Sequence, residues 1–426
     1  MPRAHWRFGL LGIAIFTMGY EPLAAQEKTD WTQFRGPTSM GKFTGPALPV
    51  TWSAKDNIAW KIPMPGAGGS SPIIVGDKIF LTAFSGFAVP GQSGGSMDKL
   101  TRHVLCLNRA DGKTIWNKEV APKLPEQASI RESHGYASST PVADNERVYV
   151  FFGKSGVFAF DFNGKQVWQA DVGANLNGWG SATSPVLHGD LLYVNASIES
   201  ESLVALDRKT GKEKWRAKGI KESWNMPLLV TLPGGKTELV VAIMGKILGF
   251  DPQTGTQLWS CNTDIGWYMV PSLVAEDGVI YCIGGRTGGA LAVRAGGKGD
   301  VTKSHRIWTG TKGSNVSSPV LHKGHLYWMH EALGIAYCAD LKTGAIVYEQ
   351  RIPGAGQVYA AALLADEKIY YLARNGKTYV VAAKPTYELL ATNDLGERSV
   401  FNSSPSAAGG RIYIRSDATL YCIGKK

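Results

Sequence analysis

A repeat constrains this chain more than any other feature. From Ser184 to Trp215 the sequence SPVLHGDLLYVNASIESESLVALDRKTGKEKW holds four short apolar runs separated by turn residues. A Ser-Pro pair opens the first run and His188 to Asp190 turn the chain. Leu191–Asn195 and Leu203–Asp207 are the second and third runs, and a Thr-Gly-Lys turn feeds the fourth, which carries Trp215. Strand-length runs bounded by turn residues predict a four-stranded antiparallel meander. The Ser-Pro position recurs at Pro72, Pro141, Pro185, Pro227, Pro271, Pro319, then Ala362 in the same register, then Pro405. Each such unit is too small to bury its own faces and must stack on its neighbours. Eight units therefore predict an all-β fold: an eight-bladed β-propeller of four-stranded antiparallel blades.

Two details support closure into a ring. Asn57–Pro63, NIAWKIP, reads as an outer strand with no three strands before it, while Ser403–Lys426 supplies three strands and no outer one. Pairing the two completes the eighth blade and removes the exposed edges of an open array. Within the units a small residue recurs on the third strand (Cys106, Ala159, Ala205, Gly249, Ala292, Cys338, Cys422), and an aromatic recurs on the outer strand (Trp60, Trp116, Trp168, Trp215, Trp259, Trp308, Tyr348). An aromatic at a fixed place in each repeat is first a packing element, so these seven are expected to dock between blades. Unit seven departs, with Leu390 where the Trp is expected.

The spacing from Ala205 to Trp215 and from Gly249 to Trp259, small-x-Asp-x-x-Thr-Gly-x-x-x-Trp, resembles the tryptophan-docking repeat of the pyrroloquinoline-quinone (PQQ) propeller family. That family includes quinoprotein alcohol dehydrogenases, the outer-membrane assembly propeller lipoprotein and many exported propellers. The resemblance covers nearly all of the chain after residue 26. It implies either a PQQ-dependent oxidoreductase with PQQ and Ca2+, or a non-enzymatic envelope propeller. The dehydrogenases usually carry a vicinal disulfide and a Glu, Asn and Asp calcium site. This sequence has no adjacent cysteines and no positions matching those ligands.

Arg3 and Arg7 precede an apolar run from Phe8 to Met18, followed by Ala24 and Ala25. This is the pattern of a cleaved signal peptide over 1–25, too short for the roughly 20 residues of a membrane span. Residues 26–56, rich in Gly and Pro, read as a segment wrapping the body, with WTQFRGP as its anchor, and 57–426 as the propeller. The expected location is periplasmic or extracellular, with no transmembrane span after cleavage. The five cysteines form no CxxC, and Cys106, Cys338 and Cys422 fall on the small buried position. A Cys261–Cys282 bridge is left open. Net charge is +10, or +9 without residues 1–25, from basic residues scattered through turns. That distribution gives no nucleic-acid motif and at most a weak attraction to anionic polymers.

In such a blade, the loop leading into the inner strand and the loop joining the second and third strands share one end of the sheet. Phe84–Leu100 and Val120–Gly135 are long loops on that face, where function usually sits. The residues leading into the inner strands are rich in aromatics and amides: His134, Tyr136, Asn177, Trp179, Trp224, Asn225, Trp267, Tyr268, Asn315, Tyr359, Phe401 and Asn402, with Arg286, His330, Glu331 and Arg374 on neighbouring loops. They are expected to ring the mouth of the central channel, where stacking faces and hydrogen-bond donors suit a flat or carbohydrate-like ligand. No catalytic set and no metal-ligand spacing emerges. The leading expectation is an exported, non-enzymatic binding or scaffold propeller for an envelope protein or polymer. The alternatives are a PQQ-dependent oxidoreductase of an alcohol or sugar, and a polysaccharide-binding accessory protein.

Overall fold

A computed structural model describes Met1, Pro2 and residues 30–128 and 135–425, so the proposed signal peptide and His134 lie outside the described residues. Eight antiparallel sheets succeed one another around a central channel. Blade 3 is the pattern for the rest: inner strand Val186–His188, then Leu191–Ala196, Ser202–Asp207 and Glu213–Lys218. The eighth blade joins Ile58–Pro63 to Thr419–Ile423, with Trp60 opposite Cys422. Pairing the chain's first strand with its last in this way closes the ring without leaving either as a free edge. Helix among the described residues amounts to single turns, such as Ser197–Ser200 and Thr302–His305.

Outer aromatics reach the following blade by a repeated hydrogen bond. The indole N–H groups of Trp60, Trp116, Trp168, Trp215 and Trp308 donate to the carbonyls of Arg109, Phe162, Arg208, Pro252 and Leu341 at 2.8–3.2 Å. The glycine of the next unit's turn then lies flat on the ring. A Cβ on Gly211, for example, would stand 2.6 Å from Trp168 Cε3, and its φ of 72° independently favours glycine. Tyr348 instead meets Tyr387 edge-on at 5.7 Å.

Trp259 differs from these. Its ring lies over Gly249 of its own blade, where a Cβ would collide with the indole, and its N–H donates to the buried Glu238 at 2.7 Å. Glu238 in turn accepts the Gly296 N–H of blade 5 at 3.1 Å. Unit five lacks the Thr-Gly turn, and its insertion instead lays Gly299–Asp300 parallel to Trp259–Ser260 as a fifth strand of blade 4.

Two registers differ from the sequence reading. In blade 7 Val380 faces Ala391, so Ala391 and not the exposed Leu390 holds the aromatic's place. In blade 5 the inner strand starts at Val274, which makes Ser272–Leu273 the equivalent of Ser-Pro and puts Pro271 one residue early. All five cysteines, Cys261 and Cys282 included, are buried free thiols. Burial pushes Cys282 up to about 12.

Residues 30–56 cross the channel and then run outward. Trp31 pairs with Ile74, Thr32 O accepts Ala143 N–H, Arg35 donates to Pro319 O, and Leu364 exchanges hydrogen bonds with Gly41 and Phe43. These partners belong to the inner-strand segments of blades 1, 2, 6 and 7. The chain next passes the inner turns of blades 7 and 8, where Leu48 N–H meets Asp366 and Pro46 lies beside Gly410. It then bonds Asn393 through Trp52 N–H and Val50 O at 2.8 and 2.9 Å. Trp52 stacks on Tyr370 at 6.3 Å and 16°. In blades 2, 3 and 5 the second-strand tyrosines Tyr149, Tyr193 and Tyr281 contact their own blade's Trp. Blade 7 has no such Trp, and Trp52 supplies the ring from outside the repeat.

Candidate functional site

The Ser-Pro position builds the inner wall. Ser404 N–H donates to Ser71 Oγ, Ser71 N–H to Thr140 Oγ1, and Thr140 N–H to Ser184 Oγ, at 2.9–3.0 Å. On the far side Ser272 N–H donates to Ser318 Oγ at 2.9 Å and Ala361 N–H to Ser404 Oγ at 2.8 Å. Each bond ties one blade to the next. The chain of bonds is interrupted where Met226 and Ala361 bring no hydroxyl. One residue earlier, Ser70, Thr183 and Asn225 bind back to the second strand of their own blades, at Thr82, Asn195 and Ala242.

Above this wall a cavity of about 400 Å³ opens on the face of the leading loops. Trp179, Trp224, Trp267 and Tyr268 form its aromatic side, with Tyr268 5.1–5.5 Å from each of the three indoles. The loops of blades 4 and 5 brace one another: Trp224 N–H donates to Met269 O at 2.7 Å and Met269 N–H to Glu222 O at 2.9 Å. Trp224 N–H of the ring is taken by Gly180 O at 2.9 Å. Tyr359, Asn402, Asn315 and Arg286 complete the predicted residues that line the cavity, together with Glu331. Arg374 reaches it indirectly, stacked 4.6 Å over Tyr359 and donating to Asn402 Oδ1 at 3.0 Å.

Other predicted residues lie elsewhere. Asn225 is fully buried, its amide spent on Ser223, Ala242 and Met269, so it is a strut of the wall. Phe401 is wholly buried in the core beside Tyr421. Tyr136 is buried against Phe84 and Phe87 and donates to Gln127 O at 2.6 Å. Burial pushes its hydroxyl up to about 12. Asn177 accepts Trp179 N–H at 2.9 Å and borders a separate small cavity. His330 turns toward its own loop, accepting the N–H groups of Ala332 and Leu333.

Three features escaped the sequence. Phe34 lines the cavity, carried by the segment that bonds across the channel. Thr140, Ser184, Ser272, Ser318 and Ser404 also line it; the recurring Ser-Pro pair was their visible signal. Finally, Arg102 and Glu126 form a buried ion pair at 2.7 Å. Nearby Glu199 is pushed up to about 7 by its burial, and one carboxylate oxygen has no partner. No motif marks that cluster.

The cavity can also be tested against PQQ with Ca2+. Such an ion takes six to eight oxygen ligands, carboxylates prominent among them. The only carboxylate among the lining residues is Glu331, whose Oε2 already accepts Ser314 Oγ–H at 3.0 Å and Asn315 N–H at 2.9 Å. Among the described residues no three His, Cys, Asp or Glu stand together. These residues do not fit the calcium-assisted quinone, and no step is assigned through it.

Fold and cavity together define a repeat propeller with an aromatic, one-ended cup. The profile described as "Outer membrane protein assembly factor BamB" matches residues 100–350, and the chain belongs to that PQQ-repeat propeller family. It is 25% identical over 199 residues to the outer membrane protein assembly factor BamB of Burkholderia pseudomallei, covering 46% of this chain and 43% of that protein. It is 21% identical over 364 residues to a tetrathionate hydrolase of Acidithiobacillus ferrooxidans, covering 81% and 62%. The chain thus spans less than two thirds of either relative. A quinohemoprotein alcohol dehydrogenase from Pseudomonas putida HK5 superposes with a TM-score of 0.61 at 13% identity, over 93% of this chain and 81% of that one. That likeness is one of fold. Among the described residues no helix is long and apolar enough to cross a membrane.

Proposed function

We propose that this chain is an exported, non-enzymatic binding propeller of the cell envelope that holds an envelope protein or polymer at the cup. The observation that carries this reading is the cup itself: about 400 Å³, walled by a braced aromatic cluster and a ring of hydroxyls, with its one lining carboxylate already engaged. A volume in this range with few polar groups among aromatics is the usual form of a ligand pocket. The relationship to a protein named as an outer membrane assembly factor supports an envelope setting.

The test uses the chain lacking residues 1–25, titrated with PQQ and Ca2+ and separately with a solubilised envelope fraction, while following melting temperature and dye reduction on mixed alcohols and sugars. The expected result is no turnover and a rise in melting temperature with envelope material, lost in Trp267→Ala. A ligand at 100 times its dissociation constant adds about 2.7 kcal/mol. Substrate-dependent dye reduction with PQQ overturns the proposal.

A further inference from the structure

Most of the unmatched hydrogen-bonding groups of the cup are donors. Thr140, Ser184, Ser318 and Ser404 each accept a neighbouring backbone N–H, and that bond uses an oxygen lone pair and leaves the O–H hydrogen to find its own acceptor. None of these hydrogens, nor that of Ser272, has an acceptor among the described residues. Two buried atoms of lining residues are also unpartnered, the indole N–H of Trp267 and the acceptor Oδ1 of Asn315. At the rim the exposed Arg286 guanidinium lies 5.8 Å over the Trp267 ring and makes no ion pair among the described residues. Arg374 donates to two neutral amide oxygens, of Asn402 and Gln357. Among the lining residues the one carboxylate is the engaged Glu331, and Asp417 lies within electrostatic reach of Arg374, which leaves Arg286 as the cation open to a ligand. A ligand suited to these groups is rich in acceptors, negatively charged, and flat enough on one side to lie on the aromatic wall.

Resting on the binding reading above, we propose that the cup takes a carboxylate-bearing sugar at the end of an acidic envelope polysaccharide. Its ring lies on the Trp267–Tyr268 wall, its oxygens accept from the hydroxyl ring, and its carboxylate meets Arg286. A sugar is favoured over an aromatic acid because hydroxyls able to donate surround the channel on several sides. A pyranose offers oxygens around its whole edge and a C–H face for stacking, whereas an aromatic acid confines its acceptors to its carboxylates. A chain end is favoured over a threaded chain because residues 31–43, which bring Phe34 to the cup, bond across the channel to four blades.

The test titrates trigalacturonate, the neutral galactotriose and naphthalene-2,6-dicarboxylate into the chain lacking residues 1–25, following tryptophan fluorescence at 20 and 200 mM salt. Trigalacturonate is expected to quench and to bind at least tenfold tighter than galactotriose, with affinity falling in salt. Arg286→Gln should weaken it at least tenfold without a change in melting temperature, since that side chain is exposed and, among the described residues, rests on the ring face alone. Equal binding of the neutral trimer, tighter binding of the aromatic acid, or no effect of Arg286→Gln each overturns the proposal. If trigalacturonate fails while the envelope fraction still stabilises through Trp267, only the ligand class is wrong. If both fail, the binding reading falls with it.

Discussion

Glu199 shows how one side chain can be set against its surroundings. It is wholly buried beside the Arg102–Glu126 pair, and burial raises its carboxyl from the usual range to about 7. The unfolded chain gives up this proton near the ordinary glutamate pKa, whereas the folded chain keeps it until about 7. Between those values the native state binds more protons, so the group's contribution to stability is present at low pH and is lost as pH rises through 7. Glu199→Gln is expected to remove that slope: a higher melting temperature than the parent at pH 8 and no gain at pH 4, read by thermal melts across the range. Gly249 is the second residue-scale case. Any side chain there meets the Trp259 indole, so Gly249→Ala should cost about 1–3 kcal/mol by overpacking, measured by urea titration. The same change at Gly178, where an added Cβ meets nothing within 4 Å, serves as the control.

At the scale of elements, blade 7 depends on a segment more than 300 residues away in sequence. Its own repeat offers Ala391 where other blades place an aromatic, and Trp52 fills the position against Tyr370. Trp52→Ala should therefore behave as a large core truncation, about 3–5 kcal/mol. Hydrogen exchange should locate the loss in Leu363–Ala365 and Lys368–Leu372 and leave blade 3 protected. The inner wall makes a related point. Among the described residues Ser404 Oγ is the acceptor of the buried Ala361 N–H, so a residue lining the cup also holds two blades together. For that reason Arg286 and Trp267, and not the serines, are the sites at which binding can be separated from folding.

For the whole molecule, closure by Ile58–Pro63 on Thr419–Ile423 makes the two ends of the chain one structural unit. A chain beginning at residue 64 loses the outer strand of blade 8, Phe34 and Trp52 together, and exposes a strand edge. It is expected to aggregate during size-exclusion chromatography. A synthetic peptide of residues 30–63 should restore a monomer peak, because the contacts it makes are with preformed blades.

Much of this was legible beforehand because a propeller writes its architecture as a period. Ser-Pro, a small third-strand residue, Thr-Gly and Trp recur in order, and each marks a local event: a strand start, a close approach, a tight turn, a packed ring. Blade number, strand order and ring closure follow from such local signals. The candidate mouth was legible only in part, since position on a leading loop does not say which way a side chain points. Trp179, Trp224, Trp267 and Tyr268 meet at the cup, while Asn225 and Phe401, from the same loops, turn into the wall and the core. The contributions of Phe34, Trp52, Glu199 and the inverted Trp259 were decided by tertiary structure alone. Each depends on contacts between segments far apart in sequence, whose energies come from burial and shape at a meeting place that no local pattern encodes.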